Sequence, residues 1–309
     1  MPGKIVVLGS CMIDFTCYAP RLPKNGETIC GNKSKIKLGG KGANQCVAAA
    51  KLGATTALIS SLGCDFFAKN YLDALKELNV DISFIRVHES AESGKAHITV
   101  AKNGENSIVI IPGANELTSV EHVKNATTLI ENASVLLCQF ESPIDATLQA
   151  LRIHKGHGYS IVNGAPAIKS VNPEIFSLCD IFCVNETEAE VLTGIYPVVM
   201  SNVNLAVSFL LSQGCNLVII TLGSLGAVFA SKDTEEIVRV DTVSVTPVDT
   251  TGAGDAFLGS LAFFLAYYPE LPMKERIERA CKIATLTVLK EGTHDSFPKR
   301  EELPESMFK

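Results

Sequence analysis

Val135-Leu136-Leu137-Cys138-Gln139-Phe140 is a short apolar run, Pro143 to His154 has the make-up of a helix, and Ser160-Ile161-Val162-Asn163 is a second short run. Runs of this length suit strands buried on both faces, and two such strands joined through a helix lie parallel in one sheet. The alternation continues in both directions. Lys4–Gly9, Thr56–Ser60, Ile181–Asn185 and Leu217–Thr221 read as further buried strands, and Phe66–Leu78, Thr187–Leu192 and Asn204–Gln213 as helices. The order predicts an α/β fold with a central, mostly parallel sheet and helices on both faces.

Two stretches break the pattern. Ile13–Leu38 and Lys95–Ile111 show half-exposed alternation, and Asn103-Gly104 is a turn signal between Ala96–Ala101 and Ser107–Ile111. Both read as β-hairpins that together form a small separate sheet. The chain has 309 residues, and one large α/β domain with this appendage accounts for it as well as two domains do. No internal repeat or low-complexity linker marks a boundary.

Hydrophobic residues make up 47% of the chain, enough for a packed core. A net charge of −6 and a pI near 5.6 argue against nucleic acid or an anionic membrane as the partner. The first thirty residues lack a basic start followed by a long apolar stretch, and no apolar run approaches the length of a membrane span. The expected location is the cytoplasm, with the nucleus as a second compartment. The 10 cysteines are scattered without Cys-x-x-Cys spacing and read as reduced thiols. His154 and His157 fall at a glycine-bounded helix end, which makes a poor metal site.

The chemistry is concentrated in Val248-Asp249-Thr250-Thr251-Gly252-Ala253-Gly254-Asp255-Ala256-Phe257. From Phe257 onward Leu261, Phe264, Leu265 and Tyr268 recur at helical spacing, so a buried helix begins near Ala253. The first N–H groups of a helix have no internal partner, and with the macrodipole they attract an anion. Gly252 and Gly254 carry no side chain to block a phosphate. Asp255 sits in that first turn, where the dipole is expected to keep it ionised near neutral pH and able to take a proton from a hydroxyl. The same decapeptide also fits an ordinary helix start with an acidic first turn.

A second glycine-rich segment, Leu38-Gly39-Gly40-Lys41-Gly42-Ala43-Asn44-Gln45, opens a helix of small residues that closes at Gly53. It lets backbone approach a ligand closely, and Lys41 and Asn44 offer polar groups to a polyhydroxylated substrate. No Ser or Thr follows the glycine-lysine pair as a Walker A loop requires.

In this order the two segments resemble the two signatures of the ribokinase-like carbohydrate kinase family. Further landmarks extend the resemblance along nearly the whole chain: Val6 to Ser10 with Asp14, Pro23 to Thr28, Gln139 to Pro143, Asn185 to Glu188, Thr221 to Gly226 and Gly292 to Pro298. The resemblance implies one catalytic domain over residues 1–309, with a lid formed by about 13–38 and 95–111 that covers the sugar and makes a homodimer. It implies phosphorylation of D-ribose at the 5-hydroxyl by ATP. Asp255 would be the base, and the N–H groups of Gly252, Ala253 and Gly254 would form the anion hole. Asp14, Gly40, Lys41, Asn44, Glu141 and Asp255 would bind the sugar, and Asn185, Thr221, Gly223, Ser224, Gly226 and Gly254 would bind ATP.

Mg²⁺ would enter on the nucleotide, with Glu188 in its environment, and K⁺ would sit by Asp249, Thr251, Thr287, Lys290, Gly292 and Ser296. The residues themselves leave alternatives. Asn185 to Glu188 has the pattern of a capping box, Thr221 to Gly226 of a hairpin turn, and Asp14 of a strand-end acid in solvent. Carboxylates such as Asp14 and Glu141 suit sugar hydroxyls because each accepts two strong hydrogen bonds. Met12 and Cys281 stand where relatives often carry Asn, which leaves sugar and nucleotide preference open. The competing functions are a kinase for deoxyribose or a nucleoside, and a non-catalytic sugar-binding protein.

Overall fold

The computed structural model describes residues 3–234 and 236–309. In chain order the first half holds β1 (Lys4–Leu8), β2 (Met12–Ala19), β3 (Lys33–Gly39), α1 (Lys41–Lys51), β4 (Thr55–Gly63), α2 (Phe66–Glu77), β5 (Ile85–His88), β6 (Gly94–Ala101) and β7 (Asn106–Ile111). There follow α3 (Val120–Asn125), α4 (Thr127–Glu131), β8 (Ala133–Cys138), α5 (Ile144–His154), β9 (Tyr159–Asn163), α6 (Glu174–Leu178) and β10 (Ile181–Asn185). The last third holds α7 (Glu186–Thr193), α8 (Val203–Ser212), β11 (Leu217–Thr221), β12 (Ala227–Ser231), β13 (Val238–Val240), α9 (Ala253–Tyr267) and α10 (Met273–Thr287).

The large sheet has the order β13-β12-β11-β10-β9-β8-β1-β4-β5. It is parallel from β5 to β11, and β12 and β13 continue it antiparallel. Alternate residues of β1 explain why helices cover both faces. Ile5 and Val7 enter a core with α1, α2, α9 and α10, whereas Val6 and Leu8 enter a second core with α3 to α8. All four are fully buried, each contributing about 1.5–3 kcal/mol relative to exposure.

The two irregular stretches form one four-stranded sheet, β3-β2-β6-β7, as expected for a small separate sheet. Its two antiparallel pairs, β2 with β3 and β6 with β7, are joined by a parallel pairing of β2 with β6. Among the described residues no helix is long and apolar enough to cross a membrane. His154 lies at the end of α5, where its ring nitrogens bond to the carbonyls of Ile130 and Tyr159, a structural role.

Candidate active site

The parallel strands end along one edge of the sheet, and there the polar residues gather. Ser10 follows β1, Gln139 and Glu141 follow β8, and Asn163, Asn185 and Thr221 close β9, β10 and β11. The chain runs from β1 to β4 on one side and later adds β8 on the other, so β1 and β8 flank a topological switch point, where open α/β sheets bind ligands.

Asp255 stands at this edge in the first turn of α9 and is buried. Gly252 caps the helix in the left-handed region at φ 79°, where a side chain would also press within 2.9 Å of Thr293 Cγ2. Both carboxylate oxygens of Asp255 are held from α1. Asn44 Nδ2 donates to Oδ2 at 2.9 Å and Gln45 Nε2 donates to Oδ1 at 3.0 Å. Gln139 Nε2 in turn donates to Gln45 Oε1 at 2.7 Å, fixing the Gln45 amide orientation. Asn44 Oδ1 is buried without a partner among the described residues.

Burial pushes the Asp255 carboxyl above its ordinary range, while Lys41, Asn44 and Gln45 pull it back down. The net direction is opposite to the one the helix dipole alone predicts, because desolvation disfavours the ion more than the dipole and amides favour it. A base raised toward neutrality is better matched to taking a hydroxyl proton than an ordinary carboxylate.

Of the three amides expected to form the anion hole, that of Ala253 donates to Thr250 O at 3.2 Å. It is therefore engaged in the turn that precedes the helix. The amides of Gly252 and Gly254 have no acceptor among the described residues. A Cβ at Gly254 would meet nothing within 4 Å, and the residue lines the cavities at the mouth of α9.

Two cavities meet there, sharing Thr221, Thr250, Gly254 and Phe257. One, of about 240 Å³, is polar and takes in Lys41, Asn163, Asn185, Glu188, Gly252 and Asp255. The other, of about 220 Å³, is lined by Gly223, Ser224, Gly226, Val243, Val245 and Cys281 among others and is mainly apolar. The first suits phosphates and the second a planar base. Thr221 to Gly226 is indeed the turn of the β11–β12 hairpin, and it lines the apolar cavity as well. Asn185 and Glu188 do form the capping box, with bonds of 2.8 and 2.9 Å, and burial raises the Glu188 carboxyl.

Asp14 and Glu141 flank the same centre. Burial, then Glu141 and Asp255, push Asp14 up to about 7, so it is not the solvated strand-end acid that position alone allows. Gly39 lies directly over its carboxylate, where a Cβ would stand 2.1 Å from Oδ2. Glu141 Oε2 accepts from Ser10 Oγ at 2.5 Å and from Lys41 N at 2.8 Å, and so secures the first amide of α1. Lys41 is partly buried, and desolvation opposes its charge. Asp255, Glu141, Glu188 and Asp14 outweigh that and hold its ammonium above the ordinary value. Gly40, at φ 93°, makes the turn that brings Lys41 into this cluster.

Asp249 ties two loops together. Its Oδ1 accepts from Thr251 N and its Oδ2 from Gly292 N, both at 2.9 Å. The carbonyls of Thr251, Lys290 and Gly292 accept no backbone hydrogen bond among the described residues, while that of Thr287 accepts from Lys290 N. Ser296 is buried and spends its hydroxyl on Thr293 O. An oxygen-only donor set of this kind fits a hard monovalent cation. Among the described residues no group of three or more His, Cys, Asp or Glu could hold a metal ion.

Sequence reasoning assigned no role to Gln45, Gln139, Ser10 or Asn163. The first three stood inside quoted motifs, but their function depends on contacts far apart in sequence. Asn163, which accepts from Gln45 Nε2 at 3.2 Å, carried no signal beyond its place at a strand end.

Over residues 2–300 the chain matches the family described as pfkB family carbohydrate kinase. It is 42% identical over 307 residues to ribokinase of Mus musculus, covering 99% of this chain and 95% of that one. It is 35% identical to deoxyribokinase of Salmonella typhi, covering 97% of each chain. Among solved structures, ribokinase from Giardia lamblia superposes with a TM-score of 0.92 at 29% identity, covering 100% of this chain and 99% of that chain. Arabidopsis thaliana ribokinase complexed with ribose and ATP gives 0.87 at 29% identity over 97% of each. The chain belongs to the pfkB family of carbohydrate kinases.

Proposed function

We infer that this protein is an ATP-dependent sugar kinase that phosphorylates D-ribose at its 5-hydroxyl. The observation that carries the reading is the buried Asp255 carboxylate, oriented by Asn44 and Gln45 and set beside the amide of Gly254 where two cavities join. Asp255 takes the proton of the primary hydroxyl as its oxygen attacks the γ-phosphorus. The Gly252 and Gly254 amides and Lys41 hold the charge spread over the transferring oxygens. The apolar cavity takes the nucleoside of ATP, while Asn185, Thr221 and Glu188 line the phosphate side. Mg²⁺ on the nucleotide would neutralise phosphate charge, and Glu188 would orient its waters. Asp249, Thr251, Thr287, Lys290, Gly292 and Ser296 would hold K⁺, which would supply a fixed positive charge beside the anion hole.

The test is ATP consumption with D-ribose, 2-deoxyribose, adenosine and fructose, each with Mg²⁺ and with either K⁺ or tetramethylammonium. Ribose is expected to give the highest kcat/KM, and K⁺ to raise it severalfold. K⁺ is also expected to slow amide exchange in residues 249–252 and 288–292. No turnover with any sugar would overturn the kinase reading, and equal exchange in the two cations would overturn the cation site. Relatives named deoxyribokinase keep the deoxy sugar as the specific alternative. If Asp14 accepts from the 2-hydroxyl, loss of that group costs about 1–3 kcal/mol.

Asp14 also makes sugar binding depend on pH. Hydroxyl donors favour its ionised form, whereas in the free protein the group titrates near 7. Below that value binding must first expel a proton. Ribose affinity is expected to fall up to about tenfold per pH unit as pH drops from 7 to 5, and to level off above 7.5. Without sugar the sign reverses for stability. The folded value is raised, so Asp14 favours the folded state most at low pH, and that contribution is lost as pH rises toward 7. Calorimetric titration across this range checks both proton release and affinity, and an Asp14→Asn protein with the same slope would exclude Asp14.

The small sheet acts as a lid on a single catalytic domain spanning residues 1–309. Its edge strand β7 leaves Ile108, Val109, Ile110 and Ile111 about half exposed, which supports a homodimer through the lid.

A further inference from the structure

We propose that Lys51 is a positioning residue for the anion hole: from the end of α1 its ammonium clamps the turn 293–297 against Gly252 and so aims the amides at the mouth of α9. The inference rests on the sugar-kinase reading above. A lysine in the last turn of a helix ordinarily complements the helix dipole and keeps its charged head in water. Lys51 instead reaches the backbone of a distant segment. Its Nζ donates to His294 O at 2.5 Å and to Phe297 O at 3.0 Å. Neither carbonyl accepts a backbone hydrogen bond among the described residues. Burial pulls the Lys51 ammonium below its ordinary value, with Asp295 and Glu302 opposing that. The charge stands in a partly buried place where two carbonyls depend on it.

The turn it holds is the one packed on the helix mouth. Ser296 N, Phe297 N and Ser296 Oγ all donate to Thr293 O, at 3.0, 3.2 and 2.9 Å, which closes the turn. A Cβ on Gly252 would stand 2.9 Å from Thr293 Cγ2 and 3.2 Å from Phe297 Cε1, so both side chains lie against the residue whose φ of 79° starts α9. Helix α1 therefore acts on the reacting centre at two places. Asn44 and Gln45 near its start orient Asp255, and Lys51 at its end sets the turn behind the Gly252 and Gly254 amides. The two helices are fixed against each other where they cross, since a Cβ on Gly259 would stand 2.5 Å from Gln45 O. Without the ammonium two carbonyls lose their donor, the turn relaxes toward water, and Phe297 no longer presses on Gly252. The cavities keep their linings, so what is lost is the aim of the amides.

The experiment compares wild type with Lys51→Met, Lys51→Arg and Phe297→Leu. Calorimetry gives dissociation constants for ribose, for ADP with Mg²⁺, and for aluminium fluoride added to the protein with both, as a mimic of the transferring phosphoryl group. Amide exchange of residues 292–298 is followed in each protein without ligand, and kcat is measured with ribose and ATP. Methionine keeps an unbranched stem without the charge, whereas arginine keeps the charge and can donate to both carbonyls. A misaimed donor costs less than an absent one, so Lys51→Met is expected to bind aluminium fluoride about tenfold more weakly and to lose about tenfold in kcat. Its affinities for ribose and ADP are expected to stay within about twofold of wild type, because the amides act on the transferring group alone.

Exchange in residues 292–298 is expected to speed up in Lys51→Met. Lys51→Arg is expected to restore exchange, fluoride affinity and kcat together, which a general loss of packing would not allow. Phe297→Leu keeps Lys51 but removes the ring from Gly252, so it is expected to show the same selective loss, and it decides alone if Lys51→Met does not fold. Fluoride affinity unchanged in Lys51→Met, lost together with ribose and ADP affinity, or not restored by arginine would overturn the proposal. So would full fluoride affinity in Phe297→Leu. Wild type that binds neither ribose nor ADP would instead overturn the sugar-kinase reading, and the ligand-free exchange would still report whether Lys51 holds the turn.

Discussion

An Asp255→Asn protein is expected to fold, to bind ATP and ribose, and to turn over about 10²–10⁴ times more slowly, the range for loss of a positioned base. The reasoning turns on what the substitution keeps. Asn has nearly the shape of Asp, and its oxygen can still accept from either Asn44 or Gln45. Its amide then faces the remaining donor and one hydrogen bond is lost, at about 0.5–1.5 kcal/mol. Against that stands the removal of a carboxylate whose burial already disfavours its charge. The two effects oppose each other, so stability changes little and the loss falls on kcat. A second consequence separates this account from a general disturbance. Asp255 is one of the charges that raise Asp14, so in Asp255→Asn the pH midpoint of ribose binding should move down. Unchanged kcat would remove Asp255 from the chemistry, and an unmoved midpoint would break the link between the two carboxyls.

Much of this was legible in the sequence because it depends on local patterning. Ile181–Asn185 and Leu217–Thr221 have the predicted strand bounds, since uninterrupted apolar runs flanked by polar residues leave little choice of end. The helix after Gly252 begins at Ala253 because glycine in the left-handed region sets its cap. The small sheet was readable from Asn103-Gly104, but the parallel pairing of β2 with β6 was not, being a contact between distant segments. In the site the same division holds. Asp255 and its glycines follow from helix-terminus physics, whereas the hold of Gln139 on Gln45 and of Gln45 on Asp255 joins three elements that no local rule connects. The upward push of burial on Asp255 is not visible in a local pattern, because the dipole is local while desolvation belongs to the assembled fold. The engaged amide of Ala253 escaped for a similar reason, as it depends on the turn geometry at Thr250.

Gly42→Ala is expected to cost roughly 10²-fold in kcat although it touches no reacting group. Helix propensity alone favours the change, by about 1 kcal/mol for alanine over glycine within α1. Packing opposes it. A Cβ at Gly42 would lie 2.5 Å from Gly9 Cα, 2.6 Å from Gly9 C and 2.6 Å from Ser10 N. All three are backbone atoms, so no rotamer relieves the contact, and α1 must lift from the end of β1. Overpacking of this kind costs about 1–3 kcal/mol, which outweighs the gain in propensity. The displacement matters more than the energy. Helix α1 carries Lys41, Asn44 and Gln45, and Ala43 N is fastened to Ser10 O at 3.0 Å. Lifting α1 draws both amides away from Asp255 and Lys41 away from its acids, and a shift near 1 Å is enough for a loss of that size. Steady-state kinetics with thermal unfolding checks it. The expected result is a large fall in kcat with a melting temperature lowered by only a few degrees, whereas wild-type kcat would mean that α1 can move without disturbing Asp255.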